Sequence, residues 1–160
     1  DGLGMSARIC DATAIDLPSD SFDAVIFGFN GLMQIPKAEN RFRAMEEIFR
    51  VLKRGGKFVF TTHDRKTPRN RSYWLSEEKQ WLHGVQDPRL DDFGDIYYKG
   101  EHGNIFIHSP SKEEVLESLR DAGFVRISDR LRSEIATEPP AVMDFSDDCI
   151  FWVAEKPPAK

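Results

Sequence analysis

Apolar side chains run almost without a break from Ala24 to Phe29. That pattern suits a strand buried on both faces of a parallel sheet and predicts a central strand. Ahead of it, Arg8 to Phe27 reads as strand, acidic turn and second strand, with the first strand at Ala7–Cys10. The period then changes: Ala38, Phe42, Met45, Phe49 and Leu52 recur every three or four residues, with Glu39, Arg43, Glu46, Glu47 and Arg50 between them. This is an amphipathic helix. Lys53 and Arg54 favour its negative end, Gly55 is expected to stop it, and Lys57 to Thr61 begins a new strand. Further on, Pro110-Ser111-Lys112-Glu113-Glu114 carries a capping box, with Ser111 as N-cap and Glu114 reaching back. Val115, Leu116, Leu119 and Ala122 form the stripe behind it, and Gly123 ends that helix. Phe124–Ile127 and Ile150–Ala154 read as strands joined by an acidic, proline-containing connection, and the Lys156-Pro157-Pro158 tail is expected to fray.

Strand, helix, strand, helix, strand in this order predicts an α/β fold, a mainly parallel sheet whose last two strands form an antiparallel edge pair. With 160 residues, 40% of them apolar, the chain has the makeup of one globular domain. A net charge of −5 disfavours nucleic acid as partner. No apolar run approaches the roughly 18 residues that span a bilayer, so no membrane partner is expected and a cytoplasmic location is the default. Cys10 and Cys149 lie in apolar, strand-like surroundings where thiols act as small hydrophobes, and two cysteines make no disulfide framework.

The stretch from His63 to His108 differs in composition, holding Tyr73, Trp74, Trp81, Phe93, Tyr97, Tyr98 and Phe106. It predicts a helix near Ser76–His83 and a hairpin in which Tyr97-Tyr98 and Ile105-Phe106 flank a Gly100–Gly103 turn. Most of these rings suit a satellite core; one or two facing a ligand is the functional alternative. His63 ends a strand and His108 closes the hairpin, so either imidazole could take a proton from a hydroxyl, the alternative being a hydrogen-bonded structural histidine. Arg65, Lys66, Arg69 and Arg71 form a basic cluster, read as a solvated loop or a site for an acidic or phosphate-bearing ligand. The histidines and cysteines show no metal spacing.

Asp11-Ala12 at a strand end, followed by Leu17-Pro18 and Phe22-Asp23, resembles a cofactor-edge motif of the class I S-adenosylmethionine-dependent methyltransferases. The Leu52-to-Lys57 turn and the Glu114-to-Phe124 helix ending in Ala-Gly-Phe extend the likeness, which runs from about Ser6 to Trp152 and is interrupted by residues 64–109. The resemblance implies a Rossmann-like sheet and a single partial methyltransferase domain over 1–160, with a lid or substrate insertion at 64–109. It implies S-adenosylmethionine as cofactor, with adenine at Asp11, Ala12 and Thr13, although a turn aspartate is the plain alternative for Asp11. The methionine end would meet Phe29, Asn30 and Met33, with Gln34 beside them. Trp74, Trp81 and Tyr97 become acceptor-side candidates. The activity implied is methyl transfer to a small-molecule acceptor. Alternatives are a non-enzymatic binding domain of the same fold and a nicotinamide-dependent reductase, whose usual Tyr-x-x-x-Lys spacing the tyrosines here lack.

In the family, a first strand with a glycine-rich loop and an acidic residue after the second strand come before the motif at Asp11, and so would precede Asp1. Those two strands lie between the ones read here at Ala7–Cys10 and Ala24–Phe29. The expectation is therefore a gap in mid-sheet, met by direct pairing of the two segments, by strand exchange in a homodimer, or by the segment as a separate piece. This stretch by itself is expected to bind the cofactor poorly and to be inactive.

Overall fold

A computed structural model describes residues 7–100, 103–145 and 148–159. The elements are β1 (Phe22–Phe27), a 3-10 turn (Gly31–Gln34), α1 (Ala38–Val51), β2 (Leu52–Thr62), α2 (Arg71–Leu82), β3 (Asp95–Gly100), β4 (Gly103–His108), α3 (Lys112–Asp121), β5 (Val125–Leu131), α4 (Arg132–Ile135), α5 (Pro140–Phe145) and β6 (Ile150–Glu155). One sheet has the order β1-β2-β6-β5, and β3-β4 form a separate hairpin. β1 and β2 pair in parallel across α1, whereas β6 runs antiparallel to both β2 and β5. This is the α/β architecture with an antiparallel C-terminal pair that the pattern predicts.

The core sits on one face of this sheet. Ala44, Met45 and Ile48 of α1 and Val115 and Leu119 of α3 close over Phe58, Phe60, Ile150, Trp152 and Ala154. The Phe58 and Phe60 rings lie 4.5 Å apart, and Phe60 stacks on Trp152 at 6.1 Å. The Trp152 indole N–H donates to Thr62 Oγ1 at 2.9 Å, so the one polar group of this cluster is satisfied.

The two helix ends of α3 follow their local sequence. Ser111 Oγ accepts from Glu114 N and Glu114 Oε2 accepts from Ser111 N. At the other end Gly123 takes φ 95, with Gly123 N bonded to Arg120 O at 2.9 Å and Phe124 N to Leu119 O at 3.0 Å. That pair of bonds is a Schellman closure.

Four expectations need correction. Ala7–Cys10 is not a strand: a strand exists through its ladder, this segment has none among the described residues, Ile9 is fully exposed and Cys10 is exposed. β1, expected to be central, has β2 as its one strand neighbour among the described residues, and Ile26 is 76% exposed. Gly55 does not stop α1. The chain passes from Val51 straight into β2, and residues 53–56 form an irregularity where the pairing jumps from Phe22↔Leu52 to Ala24↔Lys57. Gly55 takes φ 78 there, and a Cβ on Gly56 would stand 2.8 Å from Lys53 O and 3.1 Å from Asp23 O. Finally, Lys156 is pinned rather than frayed. Its backbone exchanges hydrogen bonds with Gly55 and Gly56, and its ammonium donates to Asp20 Oδ1 at 2.8 Å and Leu52 O at 2.6 Å. Lys156 thus supplies the cation at the helix C-terminus that Lys53 and Arg54 were expected to provide; Lys53 pairs with Asp23 instead.

The insertion forms as a longer helix than expected, beginning at Arg71, and as the expected hairpin, in register Tyr97↔Phe106 and Tyr98↔Ile105. The hairpin's tip, residues 101–102, lies outside the described residues.

Candidate functional site

At the carboxyl ends of β1 and β2 the chain leaves the sheet through Gly28-Phe29-Asn30 and Thr61-Thr62-His63. Two consecutive non-glycine residues, Phe29 and Asn30, take φ 55 and 53. Such backbone is costly and persists only when its surroundings hold it. Here the holding bonds are visible: Asn30 N donates to Thr61 Oγ1 at 3.2 Å, Asn30 Nδ2 meets His63 Nε2 at 3.3 Å, and Met33 N donates to Asn30 O at 3.0 Å. His63 N in turn donates to Met33 Sδ at 3.2 Å. Phe29 is left almost wholly exposed, and Gln34 Nε2 bonds its carbonyl at 3.1 Å. Asn30 Oδ1 is buried with no hydrogen-bond donor among the described residues. An orphan acceptor of this kind costs about 1–3 kcal/mol and suits an incoming ammonium or amide donor.

Asp11 opens a tight turn. Its Oδ1 accepts from both the backbone N and the hydroxyl of Thr13, each at 2.8 Å, and Ala14 N bonds Asp11 O at 3.1 Å. These bonds from Thr13 hold its carboxyl below the ordinary value. The turn is fastened to α1: Glu47 Oε2 accepts from Ile15 N at 2.8 Å, while Arg50 donates to Ile15 O and Leu17 O, each at 2.8 Å, and pairs with Glu47. Ala12 and Ile15 pack on the core cluster. The bonds of this turn run to Thr13 and to α1, whereas those of Asn30 run to Thr61, His63 and Met33.

His108 lies in the hairpin, buried, with Nδ1 2.7 Å from Asp95 Oδ1. Asp95 is 1% exposed, and its Oδ2 accepts from Asp91 N at 3.2 Å and Asp92 N at 2.9 Å. Burial pushes the Asp95 carboxyl up, but the bonds from His108 and Asp92 and the charges of His108 and Arg41 outweigh it, leaving it below the ordinary value. In the neutral ring, a Nδ1–H donated to Asp95 would leave Nε2 as an acceptor. His108 borders a cavity of about 220 Å³ together with Met33, Thr62 and Glu114. Of the acceptor-side rings, Trp74 lines a second cavity, Trp81 packs edge-on against Phe93 at 6.1 Å, and Tyr97 packs on Phe106 at 5.3 Å and under Arg89. Among the described residues no group of three or more His, Cys, Asp or Glu could hold a metal ion, and no helix is long and apolar enough to cross a membrane. Cys149 is buried, which raises its thiol, whereas Cys10 is exposed, contrary to the apolar setting its neighbours suggested.

The family model described as a methyltransferase domain matches residues 1–60, the part that carries the Asp11 turn, β1 and the Asn30 corner. A S-adenosylmethionine-dependent methyltransferase structure from Methanosarcina mazei superposes with a TM-score of 0.69 at 20% identity, covering 95% of this chain and 67% of that one. The chain is similar to a methyltransferase domain over its first 60 residues and shares the fold of these S-adenosylmethionine-dependent enzymes. A Burkholderia thailandensis 1,6-didemethyltoxoflavin-N1-methyltransferase, solved with its substrate and S-adenosylhomocysteine, matches at TM-score 0.55 and 14% identity, covering 92% of this chain and 49% of that one. The cyclase SpnF matches at TM-score 0.55 and 21% identity, covering 95% of this chain and 56% of that one. The chain thus spans between 49% and 67% of the length of these three. No curated protein matches it.

The sequence pattern does not reveal the residues that hold this site together. Asp95 was legible in the hairpin register, since pairing outward from Tyr97↔Phe106 brings Asp95 opposite His108 on the same face. Arg41, which salt-bridges Asp92 at 2.9 Å and donates to Ile35 O at 3.2 Å, carried no such signal. Nor did the Glu47–Arg50 clamp, whose two members read simply as the polar side of α1.

Proposed function

We propose that this domain transfers a methyl group from S-adenosylmethionine to a small-molecule acceptor. The observation that carries the reading is the Asn30 corner: a doubly left-handed turn at the carboxyl end of a parallel strand pair, where open α/β sheets bind ligands, holding a buried acceptor with no donor. The residues fit the cofactor. Asp11 and Ala12 would hold its adenine, on a turn that Thr13 and the Glu47–Arg50 pair have already set, and Phe29, Asn30 and Met33 would hold its methionine end, with Asn30 Oδ1 accepting from the ammonium.

Bound S-adenosylmethionine supplies a methyl group already activated by its sulfonium. What remains for the protein is to align the acceptor and exclude water. For a hydroxyl acceptor a proton must also leave, and His108 is suited to take it at Nε2 because Asp95 fixes the tautomer and would stabilise the imidazolium formed. His63, tied to Asn30 and Met33, is better placed to hold the corner. The insertion over 64–109 supplies the acceptor side. Neither the reductase nor the non-enzymatic reading draws support from the family match.

Calorimetry of S-adenosylmethionine binding to the intact protein tests this. Asp11→Ala should weaken binding about tenfold, the scale of one lost hydrogen bond to a charged group. Unchanged affinity would overturn the adenine assignment, and no binding by the parent protein would overturn the function.

A further inference from the structure

The second cavity lies wholly within the insertion and encloses about 390 Å³. Three cations, Arg65, Lys66 and Arg71, face it together with the apolar surfaces of Trp74, Leu75 and Phe93, and Glu78 is its one carboxylate. We propose that this cavity binds a planar aromatic anion, and that this is the acceptor class of the domain. The acceptor role rests on the methyl-transfer reading; the binding site does not.

The wall of the cavity is a helix face. Arg71, Trp74, Leu75 and Glu78 are spaced by three, one and three residues along α2, so they share one side of it. At 1.5 Å per residue Arg71 and Glu78 stand about 10 Å apart along the axis, with Trp74 and Leu75 between them. The slot therefore has a basic end, an apolar middle and an acidic end. Trp74 is buried, and Phe93 meets it edge-to-face at 5.7 Å, so flat surfaces line the middle and favour a ring over a flexible chain.

The charges divide into committed and available ones. Arg65 is part of the wall: it lies 5.1 Å over the Phe93 ring, donates to Ser109 O at 3.1 Å and pairs with Glu114. Lys66 pairs with Glu113, but both are more than 60% exposed, and such a pair is worth little and exchanges readily. Arg71 has no carboxylate partner among the described residues, and it stands in the first turn of α2, whose N-cap Asn70 makes no side-chain capping bond. A cationic ligand would be repelled by all three, and a neutral one would leave Arg71 unanswered. A carboxylate or phosphate on a ring answers it bidentately while the ring fills the slot.

One residue of the cavity wall, Arg65, comes near the His108–Asp95 pair, whose His108 borders the other cavity. A Cβ placed on Gly94 would stand 3.0 Å from His108 Cε1 and 3.2 Å from Arg65 NH1, so both side chains crowd this glycine. Substitution there would push the dyad and the cavity wall apart.

The test uses the intact protein without cofactor. 4-Hydroxybenzoate and its neutral isostere 4-hydroxybenzamide are titrated, with binding read by calorimetry and by the indole N–H signals of the tryptophans. The acid is expected to bind at least about tenfold more tightly than the amide, and Arg71→Ala should remove that preference while leaving amide affinity and the thermal midpoint unchanged. Arg71→Lys should keep part of it. Equal affinity for acid and amide, acid binding insensitive to Arg71→Ala, or unmoved indole signals at millimolar acid would each overturn the proposal. So would inorganic phosphate competing as well as the aromatic acid does, since that marks an anion site indifferent to rings. Cofactor calorimetry run in parallel separates the two readings: acid binding without S-adenosylmethionine binding removes the methyl-transfer reading and leaves the cavity assignment standing, and the reverse result removes only the cavity.

Discussion

β1 and β2 are adjacent and parallel, yet they occupy opposite environments. β2 buries Phe58 and Phe60 to within 1% of full burial, between α1 and α3 on one side and with strands on both edges. β1 has the more continuous apolar run, yet β2 is its one strand neighbour among the described residues: Val25 and Phe27 touch the core, while Ile26 points away at 76% exposure. An unbroken apolar run shows that a strand tolerates burial on both faces. Whether it receives burial depends on what lies beside it.

The contrast can be broken outright. Phe60→Ala should cost about 3–5 kcal/mol in denaturant unfolding, the range for a large aromatic lost from a packed core, whereas Ile26→Ala should stay within about 0.5 kcal/mol. If Ile26→Ala in the intact protein costs as much as Phe60→Ala, β1 is buried there and the contrast fails. A smaller effect sharpens the same point with polar groups. Thr62→Val leaves the buried Trp152 indole N–H without an acceptor and should cost about 1–3 kcal/mol. An equal loss on Thr13→Val, in the exposed Asp11 turn, would contradict the division into a buried and an exposed side.

Carboxylates extend the contrast to pH. Asp95 is buried and Glu114 is half-buried, and for each the burial that raises the carboxyl is outweighed by hydrogen bonds and cations that lower it from ordinary values of 3.8 and 4.5. A carboxyl held low in the folded state contributes stability that is fully present above its unfolded value and is lost as pH falls through the folded one. Thermal midpoints should therefore drop below about pH 4.5, and Asp95→Asn should flatten part of that drop while lowering the midpoint at pH 7. An acid limb identical in Asp95→Asn and the parent would show that the His108–Asp95 pair does not contribute. The smallest effect is expected at Glu113. Its exposed carboxyl, lowered to about 2 mainly by Lys66, should leave the melting curve unmoved in Glu113→Gln.

Much of the fold was legible in the residues. The capping box at Ser111, the Schellman closure at Gly123, the amphipathic α1 and the β3-β4 hairpin all rest on contacts between residues a few positions apart, and local spacing encodes them directly. The site was legible in part. Asn30, Met33 and His63 do meet at the strand tips, and His108 does close the hairpin, but the partners that define their chemistry lie elsewhere in the chain.

Tertiary structure alone decided that Ala7–Cys10 makes no ladder, that β1 has β2 as its one strand neighbour among the described residues, that Gly55 and Gly56 shape a bulge instead of ending a helix, and that Lys156 caps α1 from the far end of the chain. It also decided that Asn30 Oδ1 is buried without a donor and that Glu47 and Arg50 fasten the Asp11 turn. The physical reason is common to these cases. A strand's place, a bulge, a cap from a distant residue and an orphaned polar atom depend on which other segments arrive alongside. A residue's own neighbours in sequence state what it can do there, and the packing of segments 30 or 100 positions away determines which of those roles it takes.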